Sequence, residues 1–213
     1  MTFPSRIAIA SRNAHKLREI RRICADWPVE WLTVDDHEGP WPDVEETGST
    51  YLENARLKGV AGAAALGVPA LADDSGIEVD ALGGRPGPRS ARFAGEDATD
   101  ERNLQELIRS LKGVPAGGRT ARYRCVALLA EPDGREIQAE GICEGTLISK
   151  PRGTRGFGYD PIFVPAGWDR TMAELTDDEK DRISHRGRAL RALRELVGAP
   201  EPPSGETGLP DSR

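Results

Sequence analysis

Between residues 123 and 143 the chain carries a pattern that only a paired sheet satisfies. Tyr123, Cys125, Ala127 and Leu129 take every second position, Pro132-Asp133-Gly134 turns the chain, and Ile137, Ala139, Gly141 and Cys143 return it with the same period. Strand side chains point alternately to opposite faces, so two such runs about a tight turn predict a β-hairpin. Helical and extended patterns interleave along the rest of the chain, which places it in the α/β class. The hairpin requires an antiparallel pair, so the sheet is expected to be mixed.

Arg6 to Ala10 reads as a short buried strand, and Ala14 to Cys24 as a helix with Leu17, Ile20 and Ile23 or Cys24 on one face. Thr50 to Leu66 has helical character and is stopped by Gly67-Val68-Pro69. Ala70–Ala72 and Ile77–Ala81 are expected as two strands flanking a corner at Asp73-Asp74-Ser75-Gly76, residues that favour turns. Thr99 to Lys112 is amphipathic through Leu104, Leu107, Ile108 and Leu111. Pro161–Val164 offers a further strand, and Thr176 with Glu179 forms a capping box that opens a short helix. A last helix sets Leu190, Leu193, Leu196 and Val197 on one stripe. From Ala199 onward four prolines and little apolar mass predict a disordered tail over residues 199–213, leaving residues 1–198 as one domain.

The 213 residues are 38% hydrophobic and 30% charged, with a formal net charge of −6. That balance argues against a general nucleic-acid binder, which needs a basic face to displace counterions. The arginines between Arg119 and Arg124 do not change this, because alternation puts Arg122 and Arg124 on the outer face of a strand. No apolar run approaches the roughly 18 residues of a membrane helix, and the segment Met1–Arg6 lacks the regions of a secretion signal. A cytoplasmic protein without membrane or nucleic-acid partners is expected. Cys24, Cys125 and Cys143 form no CxxC pair and read as buried thiols.

Two segments carry chemistry. Asp73-Asp74-Ser75-Gly76, followed by a loop rich in Gly, Pro and Arg, suits a metal and a phosphate, although the same residues are turn formers. Ser11-Arg12-Asn13 joins a strand end to a helix start, where free N–H groups favour an anion; the competing reading is a plain helix cap. Neither GxGxxG nor GxxxxGK[ST] is present, which disfavours a dinucleotide-binding dehydrogenase.

With these two segments stand Glu45-Glu46-Thr47-Gly48 leading to Asn54-Ala55 and Lys58, then Gly156-Phe157-Gly158-Tyr159-Asp160-Pro161, Lys180 and Ser184-His185-Arg186-Gly187-Arg188-Ala189. Together, from about Ile7 to Leu196, they resemble the inosine triphosphate pyrophosphatase family, the XTP/dITP diphosphatases that cleanse nucleotide pools. The resemblance implies two lobes on a long, twisted mixed sheet flanked by helices, with the cleft between them. It also implies a Mg²⁺-dependent conversion of a non-standard purine nucleoside triphosphate (XTP, ITP or dITP) and water to the monophosphate and pyrophosphate, and a homodimer.

On that pattern Ser11, Arg12, Asn13, Ala14, His15, Lys16 and Lys58 belong to the substrate site on its phosphate side, where lysines meet phosphate oxygens as point charges. Glu45 is the expected metal ligand of the Glu45-Glu46 pair, Glu46 the second choice, and Asp74 the partner ligand and the base that deprotonates water. Ser75 contacts substrate, while Phe157, Gly158, Tyr159, Asp160, Lys180, His185 and Arg186 receive the base. If residues 70–74 are extended, Asp73 and Asp74 point to opposite faces and do not share one role. Ser11, Arg12 and His15 depart from the commonest family pattern, which often has Thr, Gly and a small residue there.

Two other readings compete. A Maf-like pyrophosphatase for modified pyrimidine nucleotides or dTTP should lack the Phe-Gly-Tyr-Asp-Pro and Ser-His-Arg base site. A non-catalytic nucleotide sensor has no need of paired metal-holding carboxylates.

Overall fold

The computed structural model describes residues 3–36 and 41–198, so the tail expected over residues 199–213 lies outside the described residues. Strands β1 (Arg6–Ile9), β2 (Glu30–Leu32), β3 (Ala70–Val79), β4 (Thr120–Ala130), β5 (Glu136–Leu147) and β6 (Phe163–Pro165) form one sheet in the order β2-β1-β3-β4-β5-β6. The pairs β1–β2 and β1–β3 are parallel and the rest antiparallel, which makes the sheet mixed. Helices α1 (Ala14–Ile23), α2 (Tyr51–Leu66), α3 (Asp100–Ser110), α4 (Asp177–Ile183) and α5 (His185–Gly198) flank it.

Strand alternation sorts the core. Leu71, Cys125, Ala127 and Leu129 pack with Leu17 and Ile20 of α1 and Leu190, Leu193 and Val197 of α5. Their neighbours Ala70, Ala72, Leu128 and Ala130 pack on the opposite face with Ala55 and Ala63 of α2. Beyond them, Leu104, Leu107 and Leu111 cover Ile77, Val79, Tyr123 and Phe163, building the second lobe. Helix ends follow their sequence signals: Thr50 and Thr176 each close a capping box, and Gly67 ends α2 in the left-handed region.

Three expectations need correction. Asp73-Asp74-Ser75-Gly76 is not a corner but the middle of a single ten-residue strand, in continuous register with β4 from Ala70↔Ala130 to Val79↔Ala121. Its polar side chains meet cations from other elements, so they are not free to bond their own backbone into a turn. Gly76 serves close approach, since a Cβ there would lie 2.2 Å from the Gly87 carbonyl oxygen. The strand expected over Pro161–Val164 begins at Phe163, because Asp160–Ile162 form a 3₁₀ turn. Leu196 leaves its stripe and is 49% exposed, whereas Leu190, Leu193 and Val197 are buried.

Gly141 lets the start of α5 rest on β5. A Cβ there would stand 2.1 Å from the His185 carbonyl oxygen and 2.4 Å from the Ala189 nitrogen, both backbone atoms that no rotamer change moves aside. Gly141→Ala is therefore expected to lower unfolding stability by about 1–3 kcal/mol in urea titrations, the usual cost of overpacking.

Candidate active site

The turn from β1 into α1 is a helix cap. The Asn13 carboxamide oxygen accepts from the backbone N–H groups of His15 at 2.9 Å and Lys16 at 3.2 Å, and Asn13 N–H bonds the Ser11 hydroxyl at 3.2 Å. Ser11, Arg12, Asn13 and Lys16 line a cleft of about 450 Å³; Ala14 and His15, exposed in the first helical turn, do not. The Arg12 guanidinium donates to the Trp41 carbonyl at 2.8 Å. Across the cleft Lys58 of α2 donates to the Asp73 carbonyl at 2.7 Å and to Glu46 at 2.5 Å.

Asp73 and Asp74, adjacent on β3, part as strand geometry requires. The Asp73 carboxylate meets Lys16 at 3.2 Å and Arg186 of α5 at 3.0 Å. That of Asp74 accepts from Asn54 of α2 at 3.1 Å and lies 3.8 Å from the Lys58 ammonium. Burial raises the affinity of both for a proton, but at Asp73 the charges of Lys16, Arg186 and Lys58 outweigh it and hold the carboxyl well below the usual range. At Asp74 burial prevails over Lys16 and Lys58, and the carboxyl is raised. Neighbouring acids with opposed shifts can divide the work of counter-ion and proton acceptor.

The other end of the cleft is a second ionic cluster. Arg186, 1% exposed, donates to Glu19 of α1 at 2.5 Å and to the Ser75 hydroxyl at 2.8 Å. Lys180 of α4 bridges Asp160 at 2.6 Å and Glu19 at 2.7 Å. Asp160 also accepts from Tyr123 at 3.2 Å and from the Phe157 N–H at 2.9 Å, which fixes the aromatic loop. The Phe157 ring lies with its centroid 5.1 Å from the Lys180 ammonium. His185 stacks on Tyr123 with centroids 4.6 Å apart and planes 8° apart; burial, reinforced by Arg186, keeps its imidazole neutral.

A family model described as the Ham1 family matches residues 7–196. The chain belongs to the Ham1 family. It is 49% identical over 196 residues to a dITP/XTP pyrophosphatase of Geobacillus kaustophilus, with 90% of this chain and 96% of that protein covered. It is 50% identical over 199 residues to one of Streptomyces coelicolor, covering 91% and 100%. The Staphylococcus aureus Ham1 protein shares its fold with a TM-score of 0.79 at 41% identity, covering 90% of this chain and 97% of that one. This agrees with the mixed sheet and two-lobed architecture expected from the sequence.

Glu45, Glu46, Asp74, Ser75, Phe157, Gly158, Tyr159, Asp160, Lys180, His185 and Arg186 all line this same cleft of the Ham1-family chain. Sequence reasoning missed Glu19 and gave Tyr123 only a packing role. No local signal marked Glu19, which stands off the Leu17, Ile20 and Cys24 stripe of α1 and is nonetheless buried. Asn54 stood in the quoted motif without a role, and its role is to hold Asp74.

Among the described residues, no three His, Cys, Asp or Glu side chains are grouped to hold a metal by themselves. The donor set nevertheless fits Mg²⁺, which takes one or two carboxylates and completes its shell with water and phosphate oxygens. Hard oxygen donors line the cleft, and the Lys58 ammonium already stands between Glu46 and Asp74, so this spot accommodates positive charge.

Glu19 joins the two buried cations. Burial raises its carboxyl, but Arg186 and Lys180 more than reverse this and hold it at about 2 against an ordinary 4.5. A carboxyl lowered on folding stabilises the fold fully above pH 4.5, and that contribution is lost as pH falls towards 2. Glu19→Gln should cost about 3 kcal/mol at pH 7 by leaving buried cations short of a partner. Urea unfolding of the variant should also show a shallower loss of stability between pH 4.5 and 2 than the parent.

Proposed function

We infer that this protein is a nucleoside-triphosphate pyrophosphatase that hydrolyses non-standard purine nucleotides (XTP, ITP and dITP) to the monophosphate and pyrophosphate. The observation that carries this reading is the meeting, in one cleft, of a raised, buried Asp74 flanked by lysines with a cationic and aromatic cluster around Phe157. The names of the relatives, dITP/XTP pyrophosphatases, support the same reaction.

A nucleoside triphosphate brings several negative charges, and phosphoryl transfer is catalysed mainly by positioning and charge neutralisation. Lys16 and Lys58 meet the phosphates. Asp74 accepts the proton of the water that cleaves the α–β phosphoanhydride, its raised proton affinity suiting it to this. Glu45 and Asp74 would hold Mg²⁺, the Glu46 carboxylate being engaged by Lys58. When bound, that ion neutralises phosphate charge during the reaction.

The purine stacks on Phe157. Neutral His185 lines the cleft, its two ring nitrogens divided between one donor and one acceptor. Lys180 and Arg186 favour a keto oxygen over the amino group of adenine, since a buried donor facing another donor costs about 1–3 kcal/mol. The homodimer and the cytoplasmic nucleotide pool as its setting are part of the same proposal and rest on the family resemblance.

The reading is tested by products. With Mg²⁺, ITP, dITP and XTP should yield pyrophosphate well ahead of ATP, GTP and dTTP; orthophosphate as the primary product would overturn the reaction type, and dTTP as the preferred substrate would favour a Maf-like activity. Asp74→Asn should lower kcat by about 10²- to 10⁴-fold, with nucleotide binding retained in calorimetry.

A further inference from the structure

His15 lies outside the cleft lining, yet it makes the ring contact that joins the phosphate-side helix to the base-side loop. Its imidazole stacks on Phe157 with centroids 5.0 Å apart and an interplanar angle of 24°. The His15 backbone N–H bonds the Asn13 cap at 2.9 Å, which fixes the chain beneath the ring, and the Arg18 guanidinium one turn on lies 2.9 Å from the ring's Nδ1. A guanidinium only donates, so Nδ1 is the acceptor and carries no proton. The imidazole is therefore neutral in this arrangement, and it offers an aromatic face rather than a positive charge.

We propose that His15 is a positioning residue for base recognition: its neutral ring braces Phe157 in the attitude in which a purine stacks on it. The proposal deepens the purine-nucleotide reading above and rests on it. His15 is followed directly by Lys16, which donates to the Asp73 carbonyl at 3.4 Å, so the stack links the aromatic loop to the helix that carries a phosphate-binding lysine. The loop is held on its own side by the Phe157 N–H to Asp160 and by the Gly158 N–H to Asp100 at 3.0 Å. These bonds fix its backbone; the ring itself meets the His15 ring by stacking and has the Lys180 ammonium 5.1 Å and the Arg186 guanidinium 5.8 Å from its centroid.

The alternative role for a histidine in this motif is a charge aimed at phosphate, and the two roles separate by substitution. His15→Phe keeps a ring without charge, His15→Lys keeps charge without a ring, and His15→Ala keeps neither. The side chain is exposed, so all three should retain the parent's unfolding midpoint. Steady-state release of pyrophosphate from ITP should show KM raised about three- to ten-fold in His15→Ala and His15→Lys with kcat within about twofold, and KM restored to within about twofold in His15→Phe. Inhibition by inorganic tripolyphosphate, which has phosphates and no base, should be the same in all. Restoration by Lys but not Phe, or tripolyphosphate inhibition weakening in step with KM, would assign His15 to the phosphates and overturn the proposal. An unchanged KM in His15→Ala, with the parent active on ITP, would overturn this inference alone; a parent inert towards ITP would overturn the function reading with it.

Discussion

The site depends on the buried pairing of Arg186 with Asp73 and Glu19. Its guanidinium is 1% exposed, and its partners come from the middle of β3 and from α1. A lone buried charge is prohibitively unfavourable, and even a pair gives little net stability once desolvation is counted. What such a group supplies is geometry: it is satisfied only when strand, first helix and last helix stand in one arrangement. Lys16 and Lys180 extend the same network, so three buried or half-buried cations meet Asp73, Glu19 and Asp160. The cleft wall is thereby set before any nucleotide arrives.

From this follows the division between two adjacent carboxylates. Asp73 spends its charge on Lys16 and Arg186 and is held ionised as part of the framework. Asp74, on the other side of the strand, is buried with weaker compensation and retains an affinity for protons. One strand thus carries a structural anion and a reactive one in successive positions, because alternation sends them to different surroundings.

Features set by local chemistry were legible in the sequence. The stripe of α3, the hairpin of β4 and β5, and the capping box at Thr176 depend on residues a few positions apart. The failure at Asp73-Asp74-Ser75-Gly76 has the opposite cause. Taken locally these residues make a turn, but the groups that let them lie in a strand, Lys16 and Arg186, are 57 and 113 positions away. Glu19 escaped for the same reason, its partner Arg186 standing 167 positions off. The cleft residues were found by their motif pattern, and neither periodicity nor composition yields the contacts among them.

The central claim, that β3 holds two neighbouring carboxyls in opposite electrostatic states, is open to direct measurement. Carbon-detected NMR of the metal-free protein, with Asp73 and Asp74 assigned, follows each carboxyl through an acid titration. The account predicts that Asp74 protonates above the ordinary aspartate value of 3.8, while Asp73 stays ionised until the fold itself is lost. If both titrate together near 3.8, or Asp73 protonates first, the account is contradicted.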